Sequence, residues 1–202
     1  MAVLTIPALI DNYQKHVVPI RLKKMYNTLW NAIELAEIEN GPSDNWTFES
    51  DAEALNFYNT KIRSKMNCVA YNPKINSISE EKACFLADGS LIKVDNARSY
   101  GLFSFKFYPF TTKKALTYTY EGLSPSKRYV FFYGLRLARS GNLKAKTEIL
   151  MMNEDVKLLT RDRILNGPGP SVDPGAYCNG GYKGCFYVIK IDGWKIAPDY
   201  PW

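Results

Sequence analysis

Histidine is almost missing from this chain: His16 is the only one in 202 residues. Any catalytic triad or metal site built on imidazole would therefore have to use that one side chain, which sits beside Lys15 in a helical pattern. No Gly-x-Ser-x-Gly elbow, His-Glu-x-x-His pair or phosphate-cradling glycine loop occurs. No apolar run approaches the roughly 20 residues a membrane-spanning helix needs. A secretory signal with charged start, apolar middle and small-residue cleavage site is also absent, so an export signal is expected only upstream of these residues. Basic residues outnumber acidic ones, 26 to 20. They are spread over small groups (Arg21 with Lys23 and Lys24, Lys113-Lys114, Lys127-Arg128, Arg136 with Arg139) and form no dense tail for nucleic acid. These absences leave little room for an enzyme, and none is expected.

What is present describes a globular domain. Apolar residues make up 46% and charged residues 23% of the chain, a composition that can build one core at this length. Four cysteines fall into two local couples, Cys68 with Cys84 and Cys178 with Cys185. Four cysteines allow three connectivities. Zinc is the competing use, but neither couple has Cys-x-x-Cys spacing and His16 is remote in sequence. The Gly-rich run Cys178-Asn-Gly-Gly-Tyr-Lys-Gly-Cys185 favours close approach of its two ends. Two local disulfides and an oxidising compartment are the expectation.

Residues 8–40 read as one long helix. Leu22, Met25, Leu29, Ile33 and Ala36 recur at spacings of three and four, Tyr26 and Trp30 widen the stripe, and Gly41-Pro42 ends it. Pro19 lies inside and should kink or locally break it. Bases come early (Lys15, Arg21, Lys23, Lys24) and acids late (Glu34, Glu37, Glu39), opposite to the helix dipole. That order suits a helix that continues N-terminally, or neighbouring copies that pair the two zones. Ser50-Asp51-Ala52-Glu53 is a capping box for a second helix ending near Met66, with Leu55, Tyr58 and Ile62 as its apolar side. From Ala83 the pattern turns to strands. Cys84–Ala87 and Ser90–Val94 flank an Asp88-Gly89 turn. Strands are also expected over 102–107, 115–121, 129–137 (followed by a Ser140-Gly141-Asn142 turn) and 186–191. Residues 166–175 form a Pro/Gly loop, and the segment 144–175 has no assignment. A helix, a shorter helix and a run of antiparallel strands make an α+β domain.

Several motifs then fall in a familiar order. They run from the apolar start Thr5-Ile6-Pro7-Ala8-Leu9-Ile10 with Tyr13-Gln14, through Asn40-Gly41 and Trp46, to Cys68, Cys84 and Leu86-Ala87-Asp88-Gly89-Ser90. Gly122, Lys127-Arg128 and Tyr129–Phe132 follow, then Cys178, Cys185, Gly193-Trp194-Lys195-Ile196 and Asp199-Tyr200-Pro201-Trp202. In this order the chain resembles type IV pilins and type II secretion pseudopilins without their N-terminal hydrophobic segment. The resemblance implies a pilin-like fold, with residues 1–41 as the C-terminal part of the pilin helix and 42–202 as the globular head. It implies a structural subunit that assembles through its helix, with Leu9, Tyr13, Val17, Arg21, Lys24 and Glu34 on the assembly surface. The implied partners are other pilin or pseudopilin subunits and an inner-membrane assembly platform, with membrane contact only through the missing segment. The implied place is the cell envelope, in the inner membrane facing the periplasm before assembly and in an extracellular filament afterwards. A DNA-binding minor pilin used in uptake is the alternative, which the scattered charge disfavours. No cofactor is expected; the resemblance adds calcium as an option, with Asp173 as the ligand in a late loop.

Overall fold

In a computed structural model the described residues are 5–69, 83–112, 128–138, 146–150, 154–167, 177–179 and 183–202. Helix α1 spans Thr5–Asn40 as a single element. Gly41 follows it in the left-handed region at φ 80°, which releases the chain without Cβ strain. The last turn is closed by Asn40 Nδ2, which donates to the Ala36 carbonyl at 2.8 Å, and by Trp46 Nε1, which donates to the Gly41 carbonyl at 3.0 Å. Of the kink or local break expected at Pro19, the break does not occur. Proline removes one backbone donor, yet Pro19 is buried and the helix runs on through it.

Helix α2, Asp51–Phe57, starts where the capping box places it: Ser50 Oγ accepts from the Glu53 N–H at 3.1 Å. It continues as a π turn over Tyr58–Ile62 and a 3₁₀ turn over Arg63–Lys65. The strands are β1 (Ala83–Phe85), β2 (Leu91–Ala97), β3 (Leu102–Tyr108), β4 (Phe131–Arg136), β5 (Thr147–Leu150) and β6 (Glu154–Asp155). They form one antiparallel meander in sequence order. The β1–β2 hairpin closes at Asp88-Gly89, with Gly89 at φ 79°. A bulge lies between Val94 and Asn96.

The meander alternates faces as a strand must. Phe103, Phe105 and Phe107 on β3 and Phe131, Tyr133 and Leu135 on β4 point to one side, where they meet Leu22, Met25, Leu29, Ile33 and Ala36 of α1 in the main core. All five stripe residues are fully buried. The other face carries a second cluster of Ala83, Phe85, Leu91, Tyr108, Val130 and Phe132. The α+β arrangement of a long N-terminal helix on an antiparallel sheet is therefore as the pattern implied.

One element differs in kind. The expected strand 186–191 is helix α4, Cys185–Ile191, which follows the short helix α3, Arg161–Asn166. Cys185 to Ile189 are all buried, so the run carries no polar side to reveal its period, and a short apolar stretch reads equally as strand or helix. Close packing marks its start: a Cβ on Gly184 would lie 2.7 Å from the Ile164 carbonyl oxygen. Segment 144–175, without assignment from sequence, contributes β5, β6, a 3₁₀ turn over Val156–Leu158 and α3. The expected strand 115–121, the turn 140–142 and most of the Pro/Gly loop lie outside the described residues.

All four cysteines are bridged, Cys68 to Cys84 and Cys178 to Cys185, with Cα–Cα distances of 5.1 and 4.5 Å. Thiol titration of the denatured, unreduced protein should find no free thiol. Opening the first bridge as a Cys68→Ser, Cys84→Ser pair should cost about 3 kcal/mol by loop-closure arithmetic. In urea melts Leu29→Ala should lose roughly 2–5 kcal/mol. Leu9→Ala should stay within about 0.5 kcal/mol of the parent, and the opposite ranking would place the first turns of α1 in the core.

Candidate functional site

Helix α1 is longer than the domain can cover. Residues 6–10 are all exposed, more than one full turn, so the helix stands clear of the head there on every side. Leu9 is 70% and Tyr13 57% exposed, whereas Val17 is half-buried and Val18 fully buried. The covered stripe begins at that point. Along the face opposite the stripe, Ile6, Leu9, Tyr13, His16, Ile20, Lys23, Asn27, Asn31, Glu34 and Ile38 follow one another at spacings of three and four, and all are exposed. The face is apolar at both ends, since Ile38 is 81% exposed and Leu35 beside it 46%. Its middle is polar. Lys23 and Glu34 lie on it without an ion pair among the described residues.

Of the three charges expected on the assembly surface, Glu34 lies on this face, while Arg21 and Lys24 are engaged within the chain. Arg21 donates through Nη1 to the Pro109 carbonyl and lies over the Phe110 ring at 4.8 Å, and Lys24 pairs with Asp88 at 3.1 Å. Asp173 lies outside the described residues. Among those described, no group of three or more His, Cys, Asp or Glu side chains is placed to hold a metal ion. No described helix is long and apolar enough to cross a membrane.

Asp11 ties the emerging part of α1 to the head, a role with no signal in the sequence. Its Oδ1 accepts from Trp202 Nε1 at 2.7 Å and Arg128 Nη1 at 2.9 Å, and its Oδ2 pairs with Lys15 at 2.9 Å. The Arg128 guanidinium also lies 5.0 Å from the centre of the Trp202 ring. The partners are 117 and 191 residues away in sequence, which explains why no local pattern announces them. The aromatic ending is thus packed inward: Tyr200 is buried, and Trp194 lies against Tyr26 and Phe186 with ring centres 5.6 and 5.7 Å away.

A second feature opens beside α1. Tyr26, Trp30 and Glu34, each four residues apart, line one wall of a groove of about 710 Å³. Strand β5, α3 and α4 supply the other wall, through Glu148, Arg161 and Lys190 among others. Glu148, with its side chain only 8% exposed, receives Lys190 Nζ at 2.5 and 2.7 Å and the Tyr133 hydroxyl at 3.3 Å. Tyr133 in turn accepts from Trp30 Nε1 at 2.9 Å. Burial, then the neighbouring Glu148 carboxylate, holds the Tyr26 phenol well above its ordinary range.

Behind the groove, the buried Tyr187 hydroxyl sits where β4 and β5 part. It accepts from the Gly134 N–H at 2.8 Å and faces the Gly134 and Ile149 carbonyls at 3.1 and 2.9 Å. Gly134 has no room for a side chain, because a Cβ there would come 2.5 Å from the Ile149 carbonyl oxygen.

Residues 8–144 match a family described as a family of unknown function (DUF6613), and the chain belongs to it. No curated protein and no solved structure matches the chain. The α1 wall of the groove lies within the matched residues, and the wall from β5, α3 and α4 lies beyond them.

Two outcomes follow from this geometry. Tyr187→Phe should destabilise the fold by about 1–3 kcal/mol, since it strands a buried N–H; chemical denaturation measures this. Hydrogen bonds from Lys15 and Trp202 hold the Asp11 carboxyl below its usual value. The clamp is therefore at full strength above about pH 4, the ordinary aspartate pKa, and weakens as pH falls through the lower folded value. The Trp202 indole N–H resonance should follow a titration with its midpoint below that pH, and Asp11→Asn should abolish the step.

Proposed function

We propose that the chain is a structural subunit of a filament, a type IV pilus or a type II secretion pseudopilus, that assembles by packing the exposed face of α1 against α1 of neighbouring copies. The observation that carries this reading is the projecting, all-exposed apolar segment 6–10. An apolar surface of this kind marks an interaction site. The exposed charges agree with a head-to-tail arrangement, because Lys23 and Glu34 are about 16 Å apart along the helix at 1.5 Å per residue. Two parallel copies offset by that distance bring one residue's charge beside the other's. Lys23 of one copy meeting Glu34 of the next is a heterologous contact, which propagates into an open polymer wherever its rotation does not close a ring. The resemblance read from the sequence supplies the class of machine.

The DNA-uptake alternative gains no support from the charges. Lys15, Lys24, Lys65, Arg98, Arg128, Lys146, Arg161 and Lys190 each have a carboxylate partner within the chain. A strand-binding surface needs uncompensated cations in a row.

Photo-crosslinking residues placed at Leu9 and at Ile38 in the producing cell should each give a ladder of self-adducts. The same residue at Tyr100, exposed in the turn between β2 and β3, should give none. A ladder from Tyr100 alone, or no self-adduct from any position, would overturn the reading. Leu9→Glu should leave the thermal melt unchanged and abolish the ladder from Ile38.

A further inference from the structure

The groove beside α1 has the composition of a ligand site and shares only Glu34 with the charges used in assembly. Its volume of about 710 Å³ falls within the roughly 300–1,000 Å³ typical of small-molecule pockets. We propose that it binds a neutral, ring-shaped polyhydroxylated ligand, a pyranose unit of a glycan, laid against Tyr26 and Trp30.

The electrostatics select neutrality. The deep cations are already matched: Lys190 by Glu148 at 2.5 Å, and Arg161 by Asp192 and Asp199 at 2.5 and 2.7 Å. The two exposed charges lining the groove, Lys157 and Glu34, are of opposite sign. A phosphate or nucleic-acid ligand would find no uncompensated positive field. A wholly apolar ligand would cover paired charges and remove their water without replacing its hydrogen bonds. A sugar hydroxyl meets both conditions, because it donates and accepts at once and can bridge neighbouring ammonium, guanidinium and carboxylate groups.

The aromatic wall selects a ligand with apolar ring faces. Tyr26 and Trp30 are half-buried, with ring centres 5.9 Å apart. The hydrogen bond from Trp30 Nε1 to Tyr133, at 2.9 Å, satisfies the polar edge of the indole from the protein side. Lys190 Nζ, 4.4 Å from the Tyr26 ring centre, and Lys146 Nζ, 5.5 Å from the Trp30 ring centre, each take one face of a ring through cation–π attraction, so the ligand lies against what remains of each ring beside an ammonium group that can donate to its hydroxyls. The wall is thus fixed before any ligand arrives, and pre-organisation of this kind lowers the cost of binding.

The test is an NMR titration of the intact, disulfide-bonded chain with maltotriose, N-acetylchitotriose and methyl β-galactoside, and separately with inorganic phosphate and an uncharged apolar tripeptide. At least one neutral saccharide should shift the Trp30 indole N–H saturably. Trp30→Leu should weaken that saccharide at least tenfold, read from the Lys190 and Ile191 amides. The surface pair Glu34→Ala, Lys157→Ala should weaken it several-fold without moving the thermal melt, which separates lost contacts from lost folding. Phosphate and the tripeptide should leave the groove resonances unmoved. Silence from all three saccharides, or stronger shifts from phosphate or the tripeptide, would overturn the proposal. The titration needs no assembly, so its failure would leave the α1 reading standing.

Discussion

The burial of one helical stripe on one sheet face is the contact on which everything else in this protein depends. Leu22, Met25, Leu29, Ile33 and Ala36 recur with the helical period, and Phe103, Phe105, Phe107, Phe131, Tyr133 and Leu135 with the strand period. Neither set suffices alone, since helices in proteins take most of their stability from packing an amphipathic face and an isolated hairpin is marginal in water. Together they remove a large apolar area from solvent, the dominant favourable term in folding. The five stripe residues reach full burial, so the helix has one position against the sheet.

That single seating has two consequences. Because the stripe begins at Val18, the helix N-terminal to it must emerge from the head, and its apolar residues face solvent. The emerging part is nonetheless not free to swing. Asp11 is held by Arg128 and Trp202 from two distant parts of the chain, so the exposed face is presented at a set angle. The second consequence is the groove. With α1 seated on the meander, its Tyr26–Trp30–Glu34 edge is left beside β5 and α4, and the Glu148–Lys190 pair fills the base of the gap. The projecting helix and the groove are two results of one packing event.

The buried polar groups lie where backbone ladders fail. Among the described residues, strands β4 and β5 pair only at Leu135–Glu148 and Arg136–Thr147. Beyond that point the Tyr187 hydroxyl takes over the backbone groups the ladder leaves unpaired. Tyr187 belongs to α4, the element whose all-apolar run gives no sign of its helical period. As a helix it aims Tyr187 at the split while Phe186 and Trp194 pack on Tyr26.

The amino-acid sequence by itself determined the elements whose signals are local. The long helix shows in its stripe and its Gly41-Pro42 stop, the second helix in its capping box, the first hairpin in Asp88-Gly89, and the two disulfides in the short spacing of their cysteines. It also marked Leu9 and Tyr13 as apolar residues outside the continuous stripe. Tertiary structure alone decided the rest. A run buried on every side, as at 185–189, has no polar face to reveal its period. Pro19 could stay inside α1 because the loss of one backbone donor is small beside the burial of the stripe. Asp11, Glu148 and the aromatic wall of the groove gain their roles only when residues tens to nearly two hundred positions apart are brought together, and no local spacing encodes such a meeting.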